Sequence, residues 1–243
     1  MPSNKGVIFQ LYQYHGINTK VSTLQKGSEK MQEDNDMPVG FPVSFQEIRQ
    51  TNLLYSCAVR EVCTKLENLN QEFQMHHAHN PIQHITSRIK RPESIRKKML
   101  NRGLPLDYET MREKITDIGG VRVICSYIND IYTIVDILKR QNDISILNTK
   151  DYIMCPKPNG YRSFHLIVSI PVYFSKETLM IPVEIQMRTI AMDFWASLEH
   201  QLRYKNATNI PDTLREKLTA IAGDIFCADR EMQSIYQEII QLE

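Results

Sequence analysis

Two apolar runs, Ser163–Phe174 (SFHLIVSIPVYF) and Leu179–Met187 (LMIPVEIQM), flank the segment Ser175-Lys176-Glu177-Thr178. Both are rich in β-branched and aromatic residues, and the polar segment between them turns the chain, so the pair reads as a β-hairpin. Ile118–Tyr127 (IGGVRVICSY) reads as a third strand and Ile144–Leu147 as a short fourth. On either side the period changes. Ser44-Phe45-Gln46-Glu47 has the pattern of a capping box, and Ile48, Leu53, Leu54, Ala58, Val62, Leu66 and Leu69 follow at near-helical spacing to about Met75. Asn80-Pro81 interrupts that pattern. Pro92 suits the first turn of a short helix over 92–102 that Gly103 ends, and a second spans about 107–115. Asn129 or Asp130 caps a helix to about Arg140. Beyond Thr189 the chain is helical through Trp195 to Lys205, and Ile210-Pro211-Asp212 restarts a long amphipathic helix. Helices around a block of about four strands form an α+β or α/β layer pattern. Phe194, Trp195 and Leu198 share helical spacing and are expected in the core, as is Cys125 in its strand.

At roughly 150 residues per domain, 243 residues make one domain with an appendage or two small ones. Residues 1–43 mix Lys, Gln, Ser, Asn and Gly without a sustained period and are expected to form a flexible leader. The net charge of +1 excludes nucleic-acid binding by bulk charge, so RNA binding is not indicated and only a local basic patch remains. No apolar run approaches the ~18 residues of a membrane span, and Gly6–Tyr12, broken by Gln10, makes a poor signal peptide. Five cysteines without a C-x-x-C read as free thiols of a reducing compartment, the cytoplasm. The chain has no G-x-G-x-x-G and no G-x-x-x-x-G-K, so any nucleotide chemistry must use side chains.

Three features could carry chemistry. Arg88, Lys90, Arg91, Arg96, Lys97, Lys98 and Arg102 face a single acid, Glu93. They form either a solvated helix face or a polyphosphate clamp to which Ser94 adds a hydroxyl. Ser94 and Lys98 share a helix face, and Lys90 precedes a helix N-terminus that favours anions. The second feature is the segment 150–165. Pro-x-Pro-Asn-Gly is turn chemistry, but Tyr161 could stack on a base while Lys150, Lys157 and His165 reach phosphate or sugar. The third is a pair of carboxylates. Asp117 opens one strand, and Glu184 lies within another between Val183 and Ile185. Alternation either turns Glu184, Gln186 and Arg188 to solvent or makes them a polar face across a sheet. In the second case carboxylate oxygens suit Mg²⁺. His76, His77, His79 and His84 lack matched acidic or Cys spacing and read as a helix-end loop rather than a metal site.

The order of these motifs resembles the synthetase domain of the RelA/SpoT-homologue family, and the chain's size is similar to its stand-alone small alarmone synthetases. The resemblance rests on SRIKRPESIRKKM (87–99), TDIGGVRVIC (116–125), KDYIMCPKPNGYRSFH (150–165), VEIQMRT (183–189) and MDFWASLEHQLRYK (192–205). It implies an α+β fold, a nucleotidyltransferase-like mixed β-sheet flanked by helices. It divides the chain into a leader (1–43), a synthetase domain with its N-terminal helix (44–205) and a C-terminal helical extension (206–243). It implies transfer of the β,γ-pyrophosphate of ATP to the 3′-hydroxyl of GDP or GTP, with Mg²⁺. By resemblance Arg88 and Arg122 sandwich adenine, a role that suits planar guanidinium groups. Lys90, Ser94 and Lys98 hold the ATP phosphates. Asp117 and Glu184 hold Mg²⁺, and Glu184 accepts the proton of the attacking hydroxyl. Tyr161 stacks on guanine, with Lys150, Lys157, Asn159, His165 and Gln186 around the acceptor.

Asp193 stands where some relatives carry Asn, and Arg203 where relatives often have Asn. The family's hydrolase domain needs about 150 further residues before position 80, and the sequence has no His-Asp dipeptide for its metal site. Synthesis without degradation is therefore expected. The alternatives are a nucleotide- or RNA-binding module that keeps the fold without turnover, and a template-independent nucleotidyltransferase. The stripe Leu214, Leu218, Ile221, Ile225, Met232, Ile235 and Ile239 covers either the helix at 44–75 or a second subunit. The resemblance points to a homotetramer.

Overall fold

The computed structural model describes residues 44–205 and 211–242. The leader expected at 1–43 lies outside them, as does the side chain of Arg203. The elements are α1 (Phe45–His76), β1 (Ile82–Ile89), α2 (Pro92–Asn101), α3 (Tyr108–Lys114), β2 (Gly119–Cys125), α4 (Ile128–Lys139), β3 (Ser145–Asp151), β4 (Phe164–Tyr173), β5 (Thr178–Thr189), α5 (Ile190–Lys205) and α6 (Asp212–Gln241).

The capping box at Ser44 is formed. Its backbone N–H donates to Glu47 Oε2 at 2.6 Å, and the Glu47 N–H donates to Ser44 Oγ at 3.2 Å. Leu54, Tyr55, Ala58, Val62 and Leu66 of α1 are buried against the sheet. Burying each of Leu54, Val62 and Leu66 contributes roughly 1.5–3 kcal/mol, so one face of α1 suffices to fix the helix there. Ile131, Ile134, Val135 and Leu138 of α4 join the same core, with Val121, Val123 and Cys125 of β2 and Val183, Ile185 and Met187 of β5.

The sheet order is β1-β2-β5-β4-β3. Only β2 and β5 are parallel, and the other three pairings are antiparallel. The expected hairpin is β4–β5, and the mixed sheet flanked by helices is the expected fold.

The structure departs from the sequence expectations at four places. The sheet has five strands, not four, because Ile82–Ile89 is an edge strand. Its isoleucines at 82, 85 and 89 do not alternate, since a register shift between Ile82 and His84 breaks the period of two. β3 runs to Asp151, beyond Leu147, as an exposed edge. α4 begins at Ile128, with Asp130 inside its first turn accepting from the Tyr127 N–H at 3.0 Å. Trp195 is buried in α5 at 5% exposure, but Phe194 and Leu198 are 59% and 44% exposed. Trp195 faces α6, donating from Nε1 to the Leu218 carbonyl at 3.0 Å, and helical spacing alone does not say which side of a wide apolar stripe the chain covers.

α6 lies against α5 and α4. Leu214, Ile221, Met232, Ile235 and Ile239 point outward.

Candidate active site

Strand register lines the polar residues up. Lys150, His165, Gln186, Arg122 and Thr86 form one row across all five strands. Arg88, Gly120, Glu184, Ile167 and Asn148 form the next row. Residues two apart share a sheet face, so both rows look out on the side opposite the core residues of β2 and β5. An open cleft on this face is lined by Arg88, Asp117, Gly120, Arg122, Glu184 and Gln186. Glycine at 120 leaves room between Arg88 and Glu184, where any side chain would enter the cleft. Alternation thus places Glu184 in the cleft wall rather than in open solvent.

Asp117, just before β2, meets two cations. Lys90, after β1, and Lys98, on α2, each reach its Oδ2 at 2.5 Å. Burial pushes the Asp117 carboxyl up, but the two ammonium groups together hold it below the usual carboxylate range. Burial also pushes the Lys90 ammonium down, and Asp117 offsets only part of that. Asp117 Oδ1 is buried with no hydrogen-bond partner. Ser94 is exposed in the first turn of α2.

Glu184 accepts at both oxygens. His165 Nδ1 lies 3.0 Å from Oε1, and Gln186 Nε2 donates to Oε2 at 2.8 Å. Burial pushes this carboxyl up; the His165 and Gln186 hydrogen bonds outweigh it and leave the group below its ordinary value. The charge of Asp117 is also felt at Glu184. The set is therefore two ionised carboxylates, one with an unsatisfied buried oxygen. That fits a hard cation completed by substrate phosphates. Among the described residues no cluster of three or more acidic, His or Cys side chains could hold a metal alone. The four histidines expected in a helix-end loop are split: His76 ends α1, His84 lies in β1, and between them His79 pairs with Asp130 at 3.0 Å.

The β3–β4 loop forms the far wall. The Tyr161 hydroxyl lies 2.9 Å from His165 Nε2 and accepts from Arg188 at 2.8 Å. The Lys157 ammonium sits 4.7 Å from the Tyr152 ring centre and 4.6 Å from that of Tyr161. Asn159 uses its amide inside the loop, donating to Glu199 and accepting from the Tyr161 N–H, both at 3.3 Å. It shapes the loop that presents Tyr161. Lys150 is exposed on β3 beside His165.

Sequence reasoning gave no role to Arg188, Asp193 or Tyr152. Arg188 is 6% exposed, not turned to solvent, and donates to Asp193 at 2.9 Å. Asp193 in turn lies 3.7 Å from Arg122. Burial and the neighbouring Arg188 both disfavour the Arg122 charge, and Asp193 counters them. A polar chain thus links Arg122, Asp193, Arg188, Tyr161, His165 and Glu184. The signal for Arg188 is its alternation with Glu184 and Gln186, which puts all three on one face.

Residues 87–209 match a region found in RelA / SpoT proteins. The chain belongs to the RelA/SpoT family of GTP pyrophosphokinases. It is 45% identical over 187 residues to GTP pyrophosphokinase YwaC of Bacillus subtilis, covering 77% of this chain and 89% of that one. It is 36% identical to GTP pyrophosphokinase YjbM of the same organism, covering 76% and 86%. Among solved structures, small alarmone synthetase 1 of Bacillus subtilis bound to its product pppGpp superposes with a TM-score of 0.75 at 32% identity, over 80% of this chain and 98% of that one. Small alarmone synthetase 2 of that organism gives 0.71 at 43% identity, over 78% and 98%. The RelA/SpoT region contains all the charged residues of the cleft and the β3–β4 loop, and it ends before α6.

Proposed function

We propose that this protein is a (p)ppGpp synthetase, transferring the β,γ-pyrophosphate of ATP to the 3′-hydroxyl of GDP or GTP. The observation that carries the reading is the position of Glu184. It stands between a cation-lined cleft, with Arg88, Arg122 and the Lys90–Asp117–Lys98 cluster, and the Tyr161–His165 wall. Arg88 and Arg122 hold adenine, and Lys90, Lys98 and Ser94 hold the triphosphate. Tyr161 carries guanine, displacing the Lys157 ammonium toward phosphate, while Lys150, Gln186 and Asn159 support that side.

Glu184 is ionised at neutral pH and accepts the 3′-hydroxyl proton as the hydroxyl attacks the β-phosphorus. The bond between the α- and β-phosphates breaks, and AMP leaves. Two nucleotides fixed in line need little further chemistry from the protein beyond charge neutralisation. Asp117 and Glu184 would hold Mg²⁺, which when bound neutralises phosphate charge.

The proposal is synthesis alone, in line with the absence of a His-Asp dipeptide from the sequence. A cytoplasmic location agrees with the free thiols, and no described helix is long and apolar enough to cross a membrane. The exposed stripe of α6 supports a homo-oligomer, a tetramer by analogy with the family. The test is chromatography of products from ATP plus GDP against ATP alone. Nucleotide binding without turnover would favour a binding module of the same fold.

A further inference from the structure

α6 touches the loop that carries Tyr161 on both sides of that residue. Gly160 has φ +85°, and a Cβ built on it would lie 2.5 Å from the Ala222 Cβ and 3.5 Å from Thr219 Cα and O. The loop backbone therefore rests directly on the helix, and only glycine combines this conformation with this approach. Ala222 is 5% exposed. On the other side, the Arg162 guanidinium lies 3.7 Å from the Phe226 ring centre and donates to the Ile153 carbonyl. Tyr161 itself packs against the small cluster of Trp195, Ala196 and Ala222.

The helix that makes these contacts is itself fixed. Trp195 of α5 donates to the Leu218 carbonyl at 3.0 Å. Thr189, the last residue of β5, donates to Asp229 at 2.6 Å. β5 is the strand of Glu184 and Gln186. One helix outside the matched family region thus joins the strand of the proposed base to the loop of the proposed guanine stacker.

We propose that Ala222 and Phe226 are positioning residues for the acceptor nucleotide. They set where Tyr161 stands over the sheet by bracing Gly160 and Arg162. The proposal rests on the reading of this loop as the acceptor site. A displacement of about 1 Å at a binding group can cost roughly 10²-fold, so a side chain only slightly larger than alanine at 222 must register in acceptor binding. ATP, held on the β1–β2 and α2 side, meets Tyr161 only at second hand, through Arg188, Asp193 and Arg122, so its binding should change far less.

The experiment measures KM for GDP and for ATP separately, with a melting curve for each variant. Ala222→Leu should raise KM for GDP at least ~10-fold and leave KM for ATP near that of the parent. Ala228→Leu, the same added volume on the exposed side of α6, should leave both unchanged. Phe226→Leu, which removes the ring under Arg162, should give the same split in smaller measure if Ala222→Leu does not fold. Folded variants with unchanged KM for GDP, or with both KM values raised equally, would overturn the proposal. So would failure of both to fold, which would make the helix a stability element only. A parent protein without turnover of ATP and GDP would instead sink the synthetase reading itself, before any variant is compared.

Discussion

The imidazole of His165 donates from Nδ1 to Glu184 Oε1 across 3.0 Å, and the direction of that bond is set from the other side of the ring. Arg188 can only donate, and it donates to the Tyr161 hydroxyl. The single phenol proton is then directed to His165 Nε2, which leaves the ring proton on Nδ1, facing the carboxylate.

Tyr161 thus has two separable parts, a hydroxyl that orients His165 and a ring that, on the proposed function, stacks on guanine. Tyr161→Phe should keep KM for the guanine nucleotide near its original value and lower kcat about tenfold, the equivalent of one buried hydrogen bond at ~1.4 kcal/mol. Tyr161→Ala should raise that KM, since stacking contributes roughly 1–3 kcal/mol per base. Steady-state kinetics on the two variants would refute the division if both changed the same parameter.

Glu184→Gln preserves shape and hydrogen-bonding capacity and removes the charge. Turnover should fall at least ~10²-fold, the scale of general base catalysis, with the fold retained. Near-normal turnover in the folded variant would remove Glu184 from the chemistry.

The central strands and the starts of α1 and α2 were legible because their signals are local. A continuous β-branched and aromatic run marks β4, alternation marks β5, and Ser44 with Glu47 marks the start of α1. The five motifs supplied the cleft residues. β1 escaped because an edge strand buries little, and only Ile82 of its eight residues is fully buried. Arg188 and Asp193 escaped as a pair because their partnership depends on how α5 leaves β5, which no spacing encodes. The contact of Gly160 with Ala222 joins residues far apart in sequence, so its glycine looked like turn chemistry alone.

Asp229 gives a pH-dependent prediction. Burial pushes its carboxyl above the ordinary value, and the Thr189 hydroxyl offsets only part of that. A raised folded-state pKa contributes stability below the unfolded value and loses it as pH rises through the folded one. Asp229→Asn keeps an acceptor for Thr189 without the charge. It should raise the melting temperature at pH 8 and lose that advantage near pH 4. Thermal melts at the two pH values check this, and an equal effect at both would contradict it.

The outward stripe of α6 predicts association. Ile221 and Ile235 are 47% and 50% exposed in the single chain, and charges there would be costly in a buried interface. Ile221→Glu with Ile235→Glu should shift the mass in solution toward monomer, read by light scattering at micromolar concentration. A parent protein that is already a folded monomer would end the idea.

The most direct test of the synthetase assignment is the stoichiometry of the reaction. ATP radiolabelled at the γ-phosphate is incubated with GDP and Mg²⁺, and nucleotides are separated over time. A synthetase puts the label in guanosine tetraphosphate, forms AMP one for one with it, and loses both products when the metal is chelated. Label in free phosphate or pyrophosphate, with no AMP accompanying a guanosine product, would contradict the assignment.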